Sequence, residues 1–168
     1  MRQLYDAYAP SLFGNIRRYV PEKTDAEDIL QDSLIKIFSS MDSFTPKREG
    51  SLGAWMRKIC VNEALMFLRK RKRLSTMELL PQLPDDIPQE DDPPPLDGIP
   101  PAALQEMIQS LPDGYRTVLN LYVFEKLSHK EISARLGISV GTSASQYSRA
   151  KALLAKKIRS YTSQKEEK

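Results

Sequence analysis

Thr142, Ser145, Gln146 and Arg149 recur at steps of one, three and four residues, so on a helix they share one face. Two hydroxyls, an amide and a guanidinium are groups that reach base edges or phosphates in a major groove. Ser143 lies beside this row, and Lys151 follows it. From Val140 to Ser160 there is no acid, whereas Arg149, Lys151, Lys156, Lys157 and Arg159 all occur. A surface shaped only for solubility mixes signs. The row reads as a DNA contact rather than an ordinary solvated face.

Two more clusters stand near the N-terminus. Asp28, Gln31, Asp32 and Ile35 fall at i, i+3, i+4 and i+7, a polar and acidic stripe that carries one isoleucine. That isoleucine is either a stray exposed apolar side chain or part of a surface for a partner. Arg69-Lys70-Arg71-Lys72-Arg73 is a run of five cations. A solvated helix end that complements the negative C-terminal dipole looks the same, so the run alone is a weak nucleic-acid signal. The chain has one Cys and one His. Cys60 reads as a small buried apolar residue inside a helix. His129 reads as a capped surface residue with no Ser or Cys nucleophile spaced to use it. No metal set, cofactor motif or catalytic constellation is present, and no enzyme is expected.

Helices must hold these side chains. Ser128-His129-Lys130-Glu131 is a capping box, in which the Ser oxygen and the Glu carboxylate satisfy each other's backbone N–H groups. It opens a helix that runs through Leu136, and Gly137 suits the left-handed position just past its end. Ser139 then caps a helix from Val140 to about Arg159, whose core side is Val140, Tyr147, Leu154 and Ile158. A short capped helix, a glycine turn and a longer helix predict a helix-turn-helix. Before it, Pro100 to Ser110 reads as a short helix. Pro112 suits the first position of another, which reaches about Phe124.

The N-terminal part also reads as helical. Leu4, Tyr8, Leu12, Ile16 and Tyr19 form a stripe that Pro21 ends. Thr24-Asp25-Ala26-Glu27 predicts a capping box opening a second helix through about Ser40, with Ile29, Leu30, Leu34, Ile37, Phe38 and Met41 inward. Residues 44–53 hold a Pro and two Gly and read as a loop. A third helix follows, with Leu52, Trp55, Ile59 and Leu68 among its apolar positions.

The 168 residues carry a formal charge of +3, but that mean hides a pattern. Residues 1–73 are net +5, residues 74–99 are net −7 with no Lys or Arg, and residues 100–168 are net +5. Eight of the 12 prolines lie between Pro81 and Pro101. Such a segment cannot bury enough apolar surface to offset its ordering entropy and reads as an acidic, proline-rich linker between two modules. One cysteine excludes an internal disulfide, and no apolar run nears the roughly 20 residues that span a bilayer. The N-terminus lacks the apolar stretch of a signal peptide. These features predict an all-α protein of two small domains, 1–73 and 100–168, without membrane insertion and located in the cytoplasm.

The order Asp25-Ala26-Glu27-Asp28-Ile29-Leu30-Gln31-Asp32, then Gly53 to Asn62, then Leu68-Arg69 and the basic run resembles region 2 of bacterial sigma factors. Leu111-Pro112, Leu127 to Ile132, Leu136 to Thr142 and Ser148-Arg149-Ala150 resemble region 4. Two such regions with a short linker look like the extracytoplasmic-function group. The resemblance implies a non-catalytic subunit that binds core RNA polymerase and directs it to promoters, with clamp helices and flap of the large subunits, promoter DNA and an anti-sigma factor as partners. It assigns Asp28, Gln31, Asp32 and Ile35 to the polymerase clamp. It assigns Lys47, Arg48, Ser51, Arg57, Lys58, Asn62 and Arg69 to the −10 element. To the −35 element it assigns Thr142, Ser143, Ser145, Gln146, Arg149 and Lys151. The linker would thread polymerase channels as a phosphate mimic or serve as a solubilising tether. This chain departs from many relatives at Ala144 and Gln146, where they carry Lys and Arg, and at Met66, where an acid is common. A stand-alone helix-turn-helix regulator is the alternative, but no receiver-like βαβ pattern precedes the motif. A nucleic-acid enzyme would need clustered carboxylates for metal, and the acids fall in the linker instead.

Overall fold

The computed structural model describes residues 2–46, 48–74 and 94–166, without the side chains of 72–74 and 166. The expectations for Lys47 and for residues 75–93, which hold most of the acidic segment, lie outside the described residues. Among these, every regular element is helical: α1 (Arg2–Tyr19), α2 (Lys23–Ser39), a 3-10 turn (Met41–Ser43), α3 (Ser51–Leu74), α4 (Pro101–Gln109), α5 (Asp113–Val123), α6 (His129–Leu136) and α7 (Val140–Glu166). The chain divides into two compact units, within residues 1–78 and 79–168.

In the first unit each of α1, α2 and α3 packs on the other two. Leu12, Ile16, Tyr19 and Val20 meet Ala26, Ile29, Leu30, Leu34 and Ile37, and α3 supplies Met56, Cys60, Val61, Ala64 and Leu65. Each large aliphatic side chain so buried stabilises the unit by about 1.5–3 kcal/mol. The inward face of α3 is turned toward Met56, Cys60 and Ala64, with Cys60 buried as read, whereas Leu52, Trp55, Ile59 and Leu68 are only partly buried. Small side chains explain the turn: Cys60 and Ala64 let the helices approach, and Gly53 leaves only 3.3 Å between a would-be Cβ and the Tyr8 ring. The capping box expected at Thr24 does not form. The helix starts two residues earlier, at Lys23, with extended Glu22 as its cap residue and no side-chain cap. Glu27 instead lies 3.7 Å from Lys23 in an exposed i,i+4 pair. Phe38 and Met41 are half-buried rather than core.

In the second unit α7 packs on α4, α5 and α6. Ile108, Leu111, Tyr115, Leu119 and Ala150 form the core, with Leu104, Tyr147, Leu153 and Leu154 against it. The box at Ser128 forms as read: Ser128 Oγ accepts from Glu131 N–H, and Glu131 accepts from Ser128 N–H at 2.8 Å. These bonds hold the Glu131 carboxyl below the usual carboxylate range. Gly137 ends α6 at φ 67°, a conformation that costs other residues a Cβ clash. Pro112 is the cap residue of α5 rather than its first helical residue. Helix α7 continues past Arg159 to Glu166. Val140, expected in the core, is 49% exposed because it is the first residue of α7, a turn before that helix meets its neighbours.

Arg116 ties α4 to α5. Its side chain is almost wholly buried; Nη1 donates to the carbonyls of Leu111 at 2.6 Å and Gln109 at 3.2 Å, and Nη2 pairs with Asp113. Asp113 itself is half-exposed. Arg116→Ala is expected to lower unfolding free energy by about 2–3 kcal/mol by stranding those carbonyls. Asp113→Asn should cost under about 1 kcal/mol, and urea titration followed by far-UV circular dichroism checks the contrast.

Candidate nucleic-acid interface

Helix α2 presents Asp28, Gln31, Asp32 and Ile35 together on its solvent face, opposite Ile29, Leu30, Ser33 and Ile37. Ile35 is 66% exposed, the highest value for any large apolar side chain among the described residues. An apolar point ringed by acids and an amide is the composition of a protein-docking surface, with an apolar contact and a polar rim.

Beyond the 3-10 turn, residues 44–46 are irregular and residues 48–50 bend and turn, Gly50 leading into α3 with a φ of 76°. Between this segment and the first turns of α3 lies an open depression of about 470 Å³, lined by Ser43, Phe44, Thr45, Ser51, Ala54, Trp55 and Lys58. Phe44 and Trp55 form its aromatic wall, with ring centroids 5.0 Å apart and tilted by 36°. Ser43, Thr45 and Ser51 bring hydroxyls to its lining and Lys58 brings a cationic side chain. A flat apolar ring can stack in such a site while hydroxyls meet its polar edge. Of the residues assigned from sequence, Ser51 and Lys58 line the depression. Arg48 is exposed in the preceding turn and does not line it. Phe44, Thr45 and Trp55 were missed; the usable signal was two aromatics flanking a loop rich in Gly and Pro.

From Lys58 the outer face of α3 continues through Asn62 to Arg69 and Lys70, all exposed; Arg57 is exposed beside it. The one acid nearby, Glu63, is 2.6 Å from Lys36 with a side chain only 14% exposed. The row therefore has cations at its two ends, Lys58 at one and Arg69 and Lys70 at the other, around uncharged Asn62. Cys60 sits on the opposite, buried face. Burial pushes its thiol up to about 11, a hydrogen bond with Ser33 opposing this, so it carries no thiolate at neutral pH.

In the second unit α6 and α7 form the helix-turn-helix. Ser139 caps α7 by accepting from Thr142 N–H at 3.0 Å, and the Thr142 hydroxyl is itself 2.8 Å from Ser139 Oγ. Ser145 and Arg149 are fully on the outer face. Gln146 is half-buried, with its amide against Gly114 at the head of α5, 3.5 Å from a would-be Cβ there. Lys151 is exposed and lies with Nζ 5.1 Å from the Tyr147 ring centre. Ser143 is corrected outright: it is fully buried, on the inner side of α7, and hydrogen-bonds His129 Nδ1 at 2.9 Å. It cannot touch a base. His129 is likewise no plain surface residue, because its ring stacks on Tyr122 at 4.7 Å and meets Tyr147 at 5.7 Å. Burial, with Tyr122 nearby, raises the Tyr147 phenol above its ordinary value and keeps it neutral.

The described residues thus form two helical units, the second holding the α6–α7 helix-turn-helix. Residues 4–74 match the family model "Sigma-70 region 2" and residues 102–154 match "Sigma-70, region 4". The chain is 32% identical over 165 residues to an ECF RNA polymerase sigma factor, SigE, of Mycolicibacterium smegmatis; the match covers 96% of this chain but 63% of that longer protein. It is 32% identical to the RNA polymerase sigma-E factor of Streptomyces avermitilis, across 89% of this chain and 80% of that one. Its fold is similar to that of the sigma factor RpoE of Bartonella quintana, solved in complex with the anti-sigma factor NepR: TM-score 0.54, 23% identity, covering 94% of this chain and 96% of that one. The chain belongs to the extracytoplasmic-function group of RNA polymerase sigma factors, non-enzymatic proteins that direct transcription initiation. Among its described residues, no helix is long and apolar enough to cross a membrane.

Ser143→Ala is expected to lower the stability of the second unit by about 1 kcal/mol, since His129 loses a partner in a half-buried site. Arg149→Ala, on the outer face, should change it by less than about 0.5 kcal/mol. Chemical denaturation of the two variants measures both.

Proposed function

We propose that the first unit docks the clamp helices of core RNA polymerase through Asp28, Gln31, Asp32 and Ile35, and reads the −10 element through the depression and the outer face of α3. Lys47, Arg48, Ser51, Arg57, Lys58, Asn62 and Arg69 serve that second task, with Phe44 and Trp55 stacking on a base drawn out of the duplex. Unstacking costs a few kcal/mol, and an aromatic wall offsets part of it. The helix-turn-helix reads the −35 element in the major groove. Ser145 and Arg149 lead there, Thr142 and Gln146 flank them, and Lys151 grips phosphate. The flap of the polymerase is the partner of this second unit. The functional boundaries are 1–73, 74–99 and 100–168, the middle stretch being an acidic tether or a phosphate mimic.

The observation that carries this reading is the exposed Ile35 within an acidic stripe, on an element that matches a family whose members work with RNA polymerase. The complex of the Bartonella quintana protein supports an anti-sigma factor as a further partner, and a protein working with these partners would act in the cytoplasm. A stand-alone regulator would have no use for such a stripe.

Asp32→Lys tests it. Because Asp32 is exposed, stability should change by no more than about 0.5 kcal/mol. The reversed charge adds repulsion to the lost attraction, so the variant should compete for core polymerase at least tenfold less well than the parent. Gln31→Ala should be milder. Equal competition by Asp32→Lys in a pull-down would overturn the docking surface.

A further inference from the structure

On α3 the row opposite the core runs Lys58, Asn62, Met66, Arg69 and Lys70, and all five side chains are exposed. Four carry a cation or an amide. Met66, at the centre, is apolar and 53% exposed. A single exposed apolar side chain is ordinary on a protein surface. Its surroundings here differ, because it lies in an uncharged stretch between Lys58 at one end and Arg69 and Lys70 at the other, and phosphates drawn to those cations bring base edges up to it. Glu63, the neighbouring acid, is held by Lys36.

The register along the helix narrows the contact. Lys58 lines the depression with Phe44 and Trp55. Met66 lies eight residues further on, about 12 Å along the axis, which spans three to four base-pair steps. A base held in the depression therefore leaves Met66 facing paired DNA. There, thymine alone offers a methyl group in the major groove, and an unbranched, polarisable thioether fits against such a group. Asn62 and the cations cannot read that methyl.

Resting on the reading of α3 as the −10 face, we propose that Met66 is a specificity-determining residue that packs on the C5-methyl of a thymine three or four base pairs from the base held between Phe44 and Trp55. A Met66 that wedged between base pairs would be indifferent to the methyl. A Met66 that touched only polymerase would be indifferent to the sequence.

The test uses holoenzyme assembled from core polymerase and the full chain. Its templates are linear duplexes carrying a promoter that this holoenzyme selects from the host genome. Four base pairs are randomised beside the melted base, and open complexes are counted. Thymine should be enriched at one position, and deoxyuridine in its place should lower open-complex formation two- to fivefold. Met66→Ala should lose both effects, and Met66→Leu should keep them. Because the side chain is exposed, the unfolding midpoint of either variant should match the parent's. No thymine enrichment, or an equal deoxyuridine effect in Met66→Ala, overturns the proposal. Lys58→Ala separates the two levels. If it weakens every template while deoxyuridine has no effect, only the Met66 contact falls. If it changes nothing, the −10 reading of α3 falls too.

Discussion

A helix can bury only one face, and α3 spends that face on two partners at once. Met56, Cys60, Val61, Ala64 and Leu65 fill the space between α1 and α2. Nothing on that side is left for a ligand. Among the described side chains, the exposed row from Lys58 to Lys70 therefore stands away from that core and is about 18 Å long by helical rise. The same packing turns α2 so that Ile29, Leu30 and Ile37 point inward and Asp28, Asp32 and Ile35 outward. One core thus separates a cationic face from an acidic one, suited to DNA and to protein respectively. The ion pair between Lys36 and Glu63 sharpens the separation by neutralising the acid nearest the cationic row.

The second unit obeys the same constraint with more local help. Capping at Ser128 and the left-handed Gly137 set the length of α6 to eight residues. The inner side of α7 then carries Ser143, Tyr147, Ala150, Leu154 and Ile158, and Ser143 and Tyr147 reach the His129 ring on α6. That contact, with Tyr122 stacked on His129, joins α5, α6 and α7 where the turn between the last two would otherwise be free to flex. A reading helix is useful only if its angle is fixed, and here a hydrogen bond and three rings hold it.

Much of this was legible in the sequence wherever the cause acts within one turn. The box at Ser128 and the turn glycine were read correctly because both signals lie within four residues of what they set. At Thr24 the same pattern misled: the helix begins at Lys23, after Glu22, and Glu27 pairs with Lys23 instead of capping. On α3 the sequence places Cys60 in the core; close helix packing adds Ala64 and leaves the bulkier Trp55 and Ile59 only partly buried. Ser143 reads as a DNA contact from its place beside the Thr142 row, because its partner, His129, lies 14 residues away and meets it only through the helix angle. The Phe44–Trp55 wall is not legible for a like reason, since Phe44 opens the loop and Trp55 lies on α3 beyond its end. Membership of the family was visible from two motifs in order, and the family matches agree with it.

The central claim is that these faces work only together with polymerase. A net charge of +5 on each flanking module is modest, and the stretch between them is −7, so few phosphate contacts are available to the chain alone. The most direct measurement is transcription in vitro from fragmented host genome, with RNA 5′ ends mapped for core polymerase alone and for core plus this chain. The account predicts a small set of new start sites, sharing two short upstream elements, that appear only when both are present. The same start sites from core alone, or no new start sites with the chain added, would contradict it.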